Sequence, residues 1–158
     1  MSIPALDERG LLPAGIHQGS WAEIERVFAT SAHRAKLLHS AKAFICRPGE
    51  FWQAADGLDL WIGGSFVTDK PTPSDIECTV ALTKVSVPLR GQLLALALCR
   101  REDIKRDYGV DLVPTLEIAG HNDLRDFFQY VGPKTAAEKG LKVKDKRGIV
   151  QVNQWMNG

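Results

Sequence analysis

Two short apolar runs joined by a proline-rich loop constrain this chain more than any other feature. Leu58 to Ile62 closes on Gly63-Gly64-Ser65, and Ile76 to Leu82 begins after Pro71, Pro73 and Ser74. The first run reads as a strand that stops at a glycine turn, and the second alternates as a strand does. The loop between them, Thr68 to Ser74, is hairpin-like. Nine residues separate Ser65 from Asp75. Residues i and i+2 of a strand share a face, so Asp75 and Glu77 project together while Ile76 turns into the core.

The elements around this pair follow from local signals. Residues 1–19 read as coil, punctuated by Pro4, Gly10, Pro13, Gly15 and Gly19. Ser20 and Glu23 form a capping-box pattern, which predicts a helix running to about Ala29. A second helix is expected from Ala32 to Cys46, stopped by Arg47-Pro48-Gly49, with Glu50 to Ala55 as a further ambiguous turn. Pro88 opens a long helix that Tyr108-Gly109 ends. Val110 to Val113 is a strand closed by Pro114. Asn122 caps a short helix through Tyr130, and Ile149 to Val152 is a last strand. Residues 132–147 hold five lysines and Arg147 and read as a flexible surface loop. The order, helices first and then strands mixed with helices, predicts one α+β domain over 1–158: a mixed β-sheet flanked by helices.

Composition narrows the possible functions. With 20 basic and 19 acidic residues the formal net charge is +1. No global field draws the protein to nucleic acid or membrane, and DNA is not expected as a partner. No apolar run approaches the roughly 20 residues of a membrane span, and Met1 to Gly10 has no signal-like apolar stretch. These points predict a cytoplasmic protein. Cys46, Cys78 and Cys99 are widely spaced, which suggests buried free thiols rather than a zinc site or disulfides. His33 and His39 lie off one helical face, and neither they nor His121 shows metal spacing; His17 reads as a surface or packing residue. Trp52, Trp61 and Trp155 read as core or edge packing.

Two carboxylates side by side repel unless a cation lies between them. Mg²⁺ takes oxygen ligands and bridges to phosphates, so Asp75 and Glu77 suit metal-assisted phosphoryl or nucleotidyl transfer. Gly63 and Gly64 let a phosphate approach the backbone, and Ser65 adds a hydroxyl. Asp111 is a third acid, set in the apolar strand Val110-Asp111-Leu112-Val113, where it needs a partner, water or a metal. Lys105 and Arg106, in the basic end of the long helix with Arg100 and Arg101, are candidate triphosphate contacts. Each residue also has a structural reading. Asp75 could open a turn, Glu77 could be an exposed strand residue, and Asp111 could pair with Arg106 or Lys105. The basic helix end could simply offset the helix dipole.

The Gly-Ser turn, the acid-x-acid strand and the later strand acid resemble the nucleotidyltransferase superfamily, which includes polymerase-beta palm domains and small bacterial antitoxin enzymes. More closely, five pieces in order resemble a bacterial and phage family of nucleotidyltransferase-like proteins. They are Asp7–Pro13 with Gly15-Ile16-His17, Gly64–Thr68 with Pro73-Ser74-Asp75, Tyr108–Leu112, Asp126–Gln129, and Lys146–Val150. The resemblance implies Gly64 and Ser65 as the nucleotide-binding turn, and Asp75, Glu77 and Asp111 as the catalytic and metal-binding acids. Glu77 departs from the commoner Asp, and its longer arm shifts the metal. It further implies Mg²⁺ or Mn²⁺, an NTP substrate, and an acceptor hydroxyl on RNA (a tRNA end) or on a partner protein, in a toxin–antitoxin or phage-defence setting. The alternative is a catalytically inactive module of this fold that binds a partner protein.

Overall fold

The computed structural model describes residues 2–46, 58–116, 119–120 and 123–153. Five strands form one mixed sheet: β1 (Gly15–Gly19), β2 (Leu60–Gly63), β3 (Ile76–Val80), β4 (Val110–Leu112) and β5 (Gly148–Val152), in the order β1-β5-β2-β3-β4. β1 runs parallel to β5 and β3 parallel to β4, whereas β2 is antiparallel to both of its neighbours. The helices are α1 (Trp21–Phe28), α2 (Ala32–Ile45), α3 (Val87–Tyr108), α4 (Leu124–Phe127) and α5 (Gly132–Lys139). The architecture is α+β with a mixed sheet, as the element order requires.

Strand alternation decides which face is core. Ile76, Cys78 and Val80 of β3 join Leu60, Ile62, Val110, Leu112, Val150 and Val152 in the main apolar cluster, with Phe28, Leu38, Phe44, Leu93 and Ile104 from α1–α3. Glu77 and Thr79 therefore point to the other face. There Trp61, Ala81 and Ile149 pack with Phe128 in a smaller cluster. The first three helices thus cover one side of the sheet and leave the other side for chemistry.

Local signals hold where they are strong. Ser20 and Glu23 make the reciprocal capping box at the start of α1. Gly109 ends α3 in the left-handed region at φ 67°, and a Cβ there would meet Leu37 Cδ1 at 2.4 Å. Four expectations need correction. Residues 15–19, read as coil, form edge strand β1: only five residues long and bounded by glycines, it is held by its ladder with β5 rather than by its own propensity. Residues 132–139, read as loop, form α5, closed by Gly140 at φ 65°. Asp123, not Asn122, caps α4 by accepting from Arg125 N. Cys78 is buried, but Cys99 is exposed on α3. The expected stop at 47–49, the ambiguous turn at 50–55, Trp52, His121, Asn122 and Trp155 lie outside the described residues.

The loop between β2 and β3 is tied down from below. Gly64–Val67 forms a 3₁₀ turn. Arg34 of α2, only 2% exposed, donates to the carbonyls of Phe28, Lys70 and Phe66 and lies over the Phe66 ring. His33 Nε2 lies 2.8 Å from the carbonyl of Pro73. The chain is therefore fixed on both sides of the stretch that carries Ser65 and Asp75. Hydrogen bonds to a charged group contribute about 1.5–3 kcal/mol each, so Arg34→Met should destabilise the fold by about 3 kcal/mol or more in urea unfolding. A loss under about 1 kcal/mol would contradict this reading of Arg34.

Candidate active site

Strand register brings the acids together. Glu77 of β3 pairs with Asp111 of β4, so both side chains leave the same face of the sheet, the one opposite α1–α3. Asp75 precedes β3 on the same side. All three line one cavity of about 670 Å³, together with Ser65. Asp75 and Asp111 are each 8% exposed, so two carboxylates are largely withdrawn from water at a single site.

Cations from α3 answer this charge. Lys105 Nζ lies 3.0 Å from Asp75 Oδ2 and 3.3 Å from Asp111 Oδ2. Arg101 donates twice to Asp111, from Nε at 2.7 Å to Oδ1 and from Nη2 at 3.1 Å to Oδ2. Arg101 and Lys105 are four residues apart, hence on one helical face. Burial pushes the Asp111 carboxyl up, yet the Arg101 hydrogen bond and the charges of Arg101 and Lys105 outweigh it and leave Asp111 below its ordinary value. Lys105 is raised, chiefly by its hydrogen bond to Asp75.

Glu77 is in the opposite condition. Burial, with the charges of Asp75 and Asp111, lifts its carboxyl above the ordinary 4.5, and Arg147 and Lys105 offset this only in part. Glu77 packs on the glycine turn. Gly64 has φ 70°, and a Cβ there would lie 1.6 Å from Glu77 Oε2. The glycine thus supplies both a conformation that L-residues rarely adopt and the space for this carboxylate.

The expected phosphate contacts divide. Lys105 is in the cavity wall. Arg106 turns away and pairs with Asp103 and Asp107 on the exposed side of α3. One residue further along a helix is about 100° further round it, so Lys105 and Arg106 cannot face the same cavity. Residues that sequence reasoning passed over also contribute. Arg147, 7% exposed, donates to the carbonyls of Phe128 and Gly64. Lys70, Lys134 and Lys144 line the cavity as well. The signal for Arg147 was a basic residue entering an apolar strand, an unusual place for a solvated side chain. Five lysine or arginine side chains thus share the cavity with three acids, although the whole chain carries only +1. His17 is held by the carbonyl of Pro13 at 2.7 Å and serves packing.

The donor set is all carboxylate, which suits a hard divalent cation such as Mg²⁺ or Mn²⁺. As the side chains stand, no group of three among the described residues converges to hold a metal; the Lys105 ammonium lies between Asp75 and Asp111, and Glu77 rests against Gly64. Among the described residues, no helix is long and apolar enough to cross a membrane.

The raised Glu77 has a stability consequence with a definite sign. The folded state holds this proton more tightly than the unfolded chain, so ionisation costs stability as pH rises from the ordinary 4.5 through the raised value. Glu77→Gln should therefore be more stable than wild type at neutral pH, with the gain shrinking to nothing in acid. Urea unfolding across a pH series tests this; a gain independent of pH would refute it.

No curated protein and no solved structure gives a significant match to the chain. A family model described as a family of unknown function (DUF6932) matches residues 4–153, and the chain belongs to that family.

Proposed function

We propose that the protein is a metal-dependent nucleotidyltransferase that moves a nucleotidyl group from an NTP to a hydroxyl of RNA or of a partner protein. One observation carries this reading: Asp75, Glu77 and Asp111 line a single cavity with Ser65 of the Gly64 turn, and lysine and arginine side chains share that cavity. Acids alone suit a metal, cations alone suit an anion, and the two together suit a metal–polyphosphate.

The roles follow from position. Asp75, Glu77 and Asp111 are the residues to hold a divalent ion, which when bound neutralises phosphate charge and polarises the reacting phosphorus. Lys105, 39% exposed on its side chain, is free to leave the carboxylates and follow the phosphates as the ion arrives. Ser65 and the backbone of the Gly64 turn would hold phosphate oxygens and orient the chain of phosphates for in-line attack, in which the acceptor oxygen bonds to the α-phosphorus as the bond to pyrophosphate breaks and pyrophosphate leaves. Asp111, kept ionised by Arg101, accepts the proton of the acceptor hydroxyl. The resemblance to small antitoxin and phage-defence nucleotidyltransferases suggests a tRNA end or a partner protein as acceptor.

A second reading is favoured by a separate observation. Asp111 is fully engaged by Arg101 and Lys105, an arrangement that also stabilises a fold with no metal and no turnover. On this reading the chain is an inactive module that binds a partner protein.

Incubation with α-labelled NTPs, Mg²⁺ or Mn²⁺, and total cell RNA or protein separates the two. The enzyme reading expects label in one acceptor class. Loss of a metal ligand removes several kcal/mol of transition-state stabilisation, so Asp75→Ala and Asp111→Ala should each cut labelling about 10³-fold. Wild type that labels nothing and binds no nucleotide with either metal would leave the inactive module.

A further inference from the structure

Arg147 is 7% exposed, yet its charge meets no carboxylate within ion-pair distance among the described residues. Its two hydrogen bonds are Nε to the carbonyl of Phe128 at 3.1 Å and Nη1 to that of Gly64 at 3.4 Å. A guanidinium carries five N–H donors, so part of this group is unclaimed, and Arg147 lies in the cavity wall. Burial pushes Arg147 below its ordinary range, with only the more distant Glu77 opposing. A buried cation answered by two carbonyls is costly and is relieved by an anion.

A second feature of the same wall points the same way. The first turn of α5, Gly132-Pro133-Lys134-Thr135, lines the cavity. Its N-cap is Val131, which offers no side-chain acceptor to the first amides. Of the first amides, Gly132 donates to the carbonyl of Val143 at 3.2 Å and Pro133 has no N–H, so this helix start offers the Lys134 amide and the positive end of the helix dipole. Lys134 and Lys144 stand on the rim and have no ion pair among the described residues. α5 is itself anchored: Lys139 Nζ meets Asp69 Oδ1 at 2.5 Å and Lys70 Nζ meets Glu138 Oε1 at 3.1 Å.

We infer that Arg147 and the first turn of α5 form a polyphosphate-binding wall facing the carboxylates. The inference rests on the nucleotidyl-transfer reading only for what the phosphates are attached to. Anion binding itself needs neither a divalent metal nor the three acids. The wall also couples the phosphates to the turn, because Arg147 donates to the carbonyl of Gly64, the residue on which Glu77 rests.

Inorganic tripolyphosphate, titrated calorimetrically into the full chain without divalent metal, is the probe. Wild type should bind it. Arg147→Lys keeps the charge but loses the fork, and should weaken binding about tenfold or more, the worth of one charge-assisted hydrogen bond. The double variant Lys134→Ala/Lys144→Ala should weaken it as well, and Asp111→Asn should not. Should Arg147→Lys fail to fold, the Nε–H NMR resonance of Arg147 in the wild type must shift on adding tripolyphosphate. No binding by wild type, or binding that Arg147→Lys leaves unchanged while the lysine pair abolishes it, would overturn the wall. Tripolyphosphate binding lost in Arg147→Lys without any NTP transfer would keep the wall and remove the transferase reading. Transfer with tripolyphosphate binding unchanged in Arg147→Lys would do the reverse.

Discussion

The parallel pairing of β3 with β4 is the constraint on which everything else depends. By setting Glu77 opposite Asp111, it places two acids on one face beside Asp75. That commits the fold to a concentration of negative charge away from water. Like charges this close are tolerable only with cations among them. The chain supplies these from α3, through Arg101 and Lys105, while Arg147, just ahead of β5, acts on Glu77 only from beyond ion-pair distance. The helical layer, the glycine turn and the last strand are thus answers to a problem posed by strand register.

This balance explains how a site can be both stable and open to ligands. The bidentate Arg101–Asp111 pair is the firm half, well aligned and short. Lys105 is the soft half: a flexible stem, a point charge, and two carboxylates to share. An arriving cation competes with Lys105 far more easily than with Arg101. On the opposite wall Arg147 carries the converse imbalance, a positive charge with no carboxylate within ion-pair distance among the described residues. The cavity therefore has one face short of positive charge once Lys105 leaves, and another short of negative charge, which is the electrostatic complement of a metal-bound polyphosphate.

Much of this was legible in the residues. The alternation of Ile76, Cys78 and Val80 located β3 and the acid face. The apolar flanks of Asp111 marked it as an acid in need of a partner, and the capping box marked α1. What stayed hidden has physical reasons. β1 has little strand propensity between its glycines and exists because β5 offers it a ladder. α5 is hidden by its lysines, of which Lys134 stands on the cavity rim and Lys139 pairs with Asp69, while its buried apolar contact is Ala136. Arg147 became visible only when the fold brought it to Gly64, 83 positions away in sequence. Arg106 was paired with Lys105 by adjacency along the chain, although helical geometry separates them.

The central claim is that the three acids and the glycine turn receive a metal-bound nucleotide, and that Lys105 yields its place to the metal. Anomalous diffraction from crystals soaked with Mn²⁺ and a non-hydrolysable NTP tests this directly. The account predicts a manganese peak among Asp75, Glu77 and Asp111, with Lys105 displaced toward the phosphates and Arg101 still on Asp111. Lys105 remaining between Asp75 and Asp111, with manganese elsewhere or absent, would contradict it.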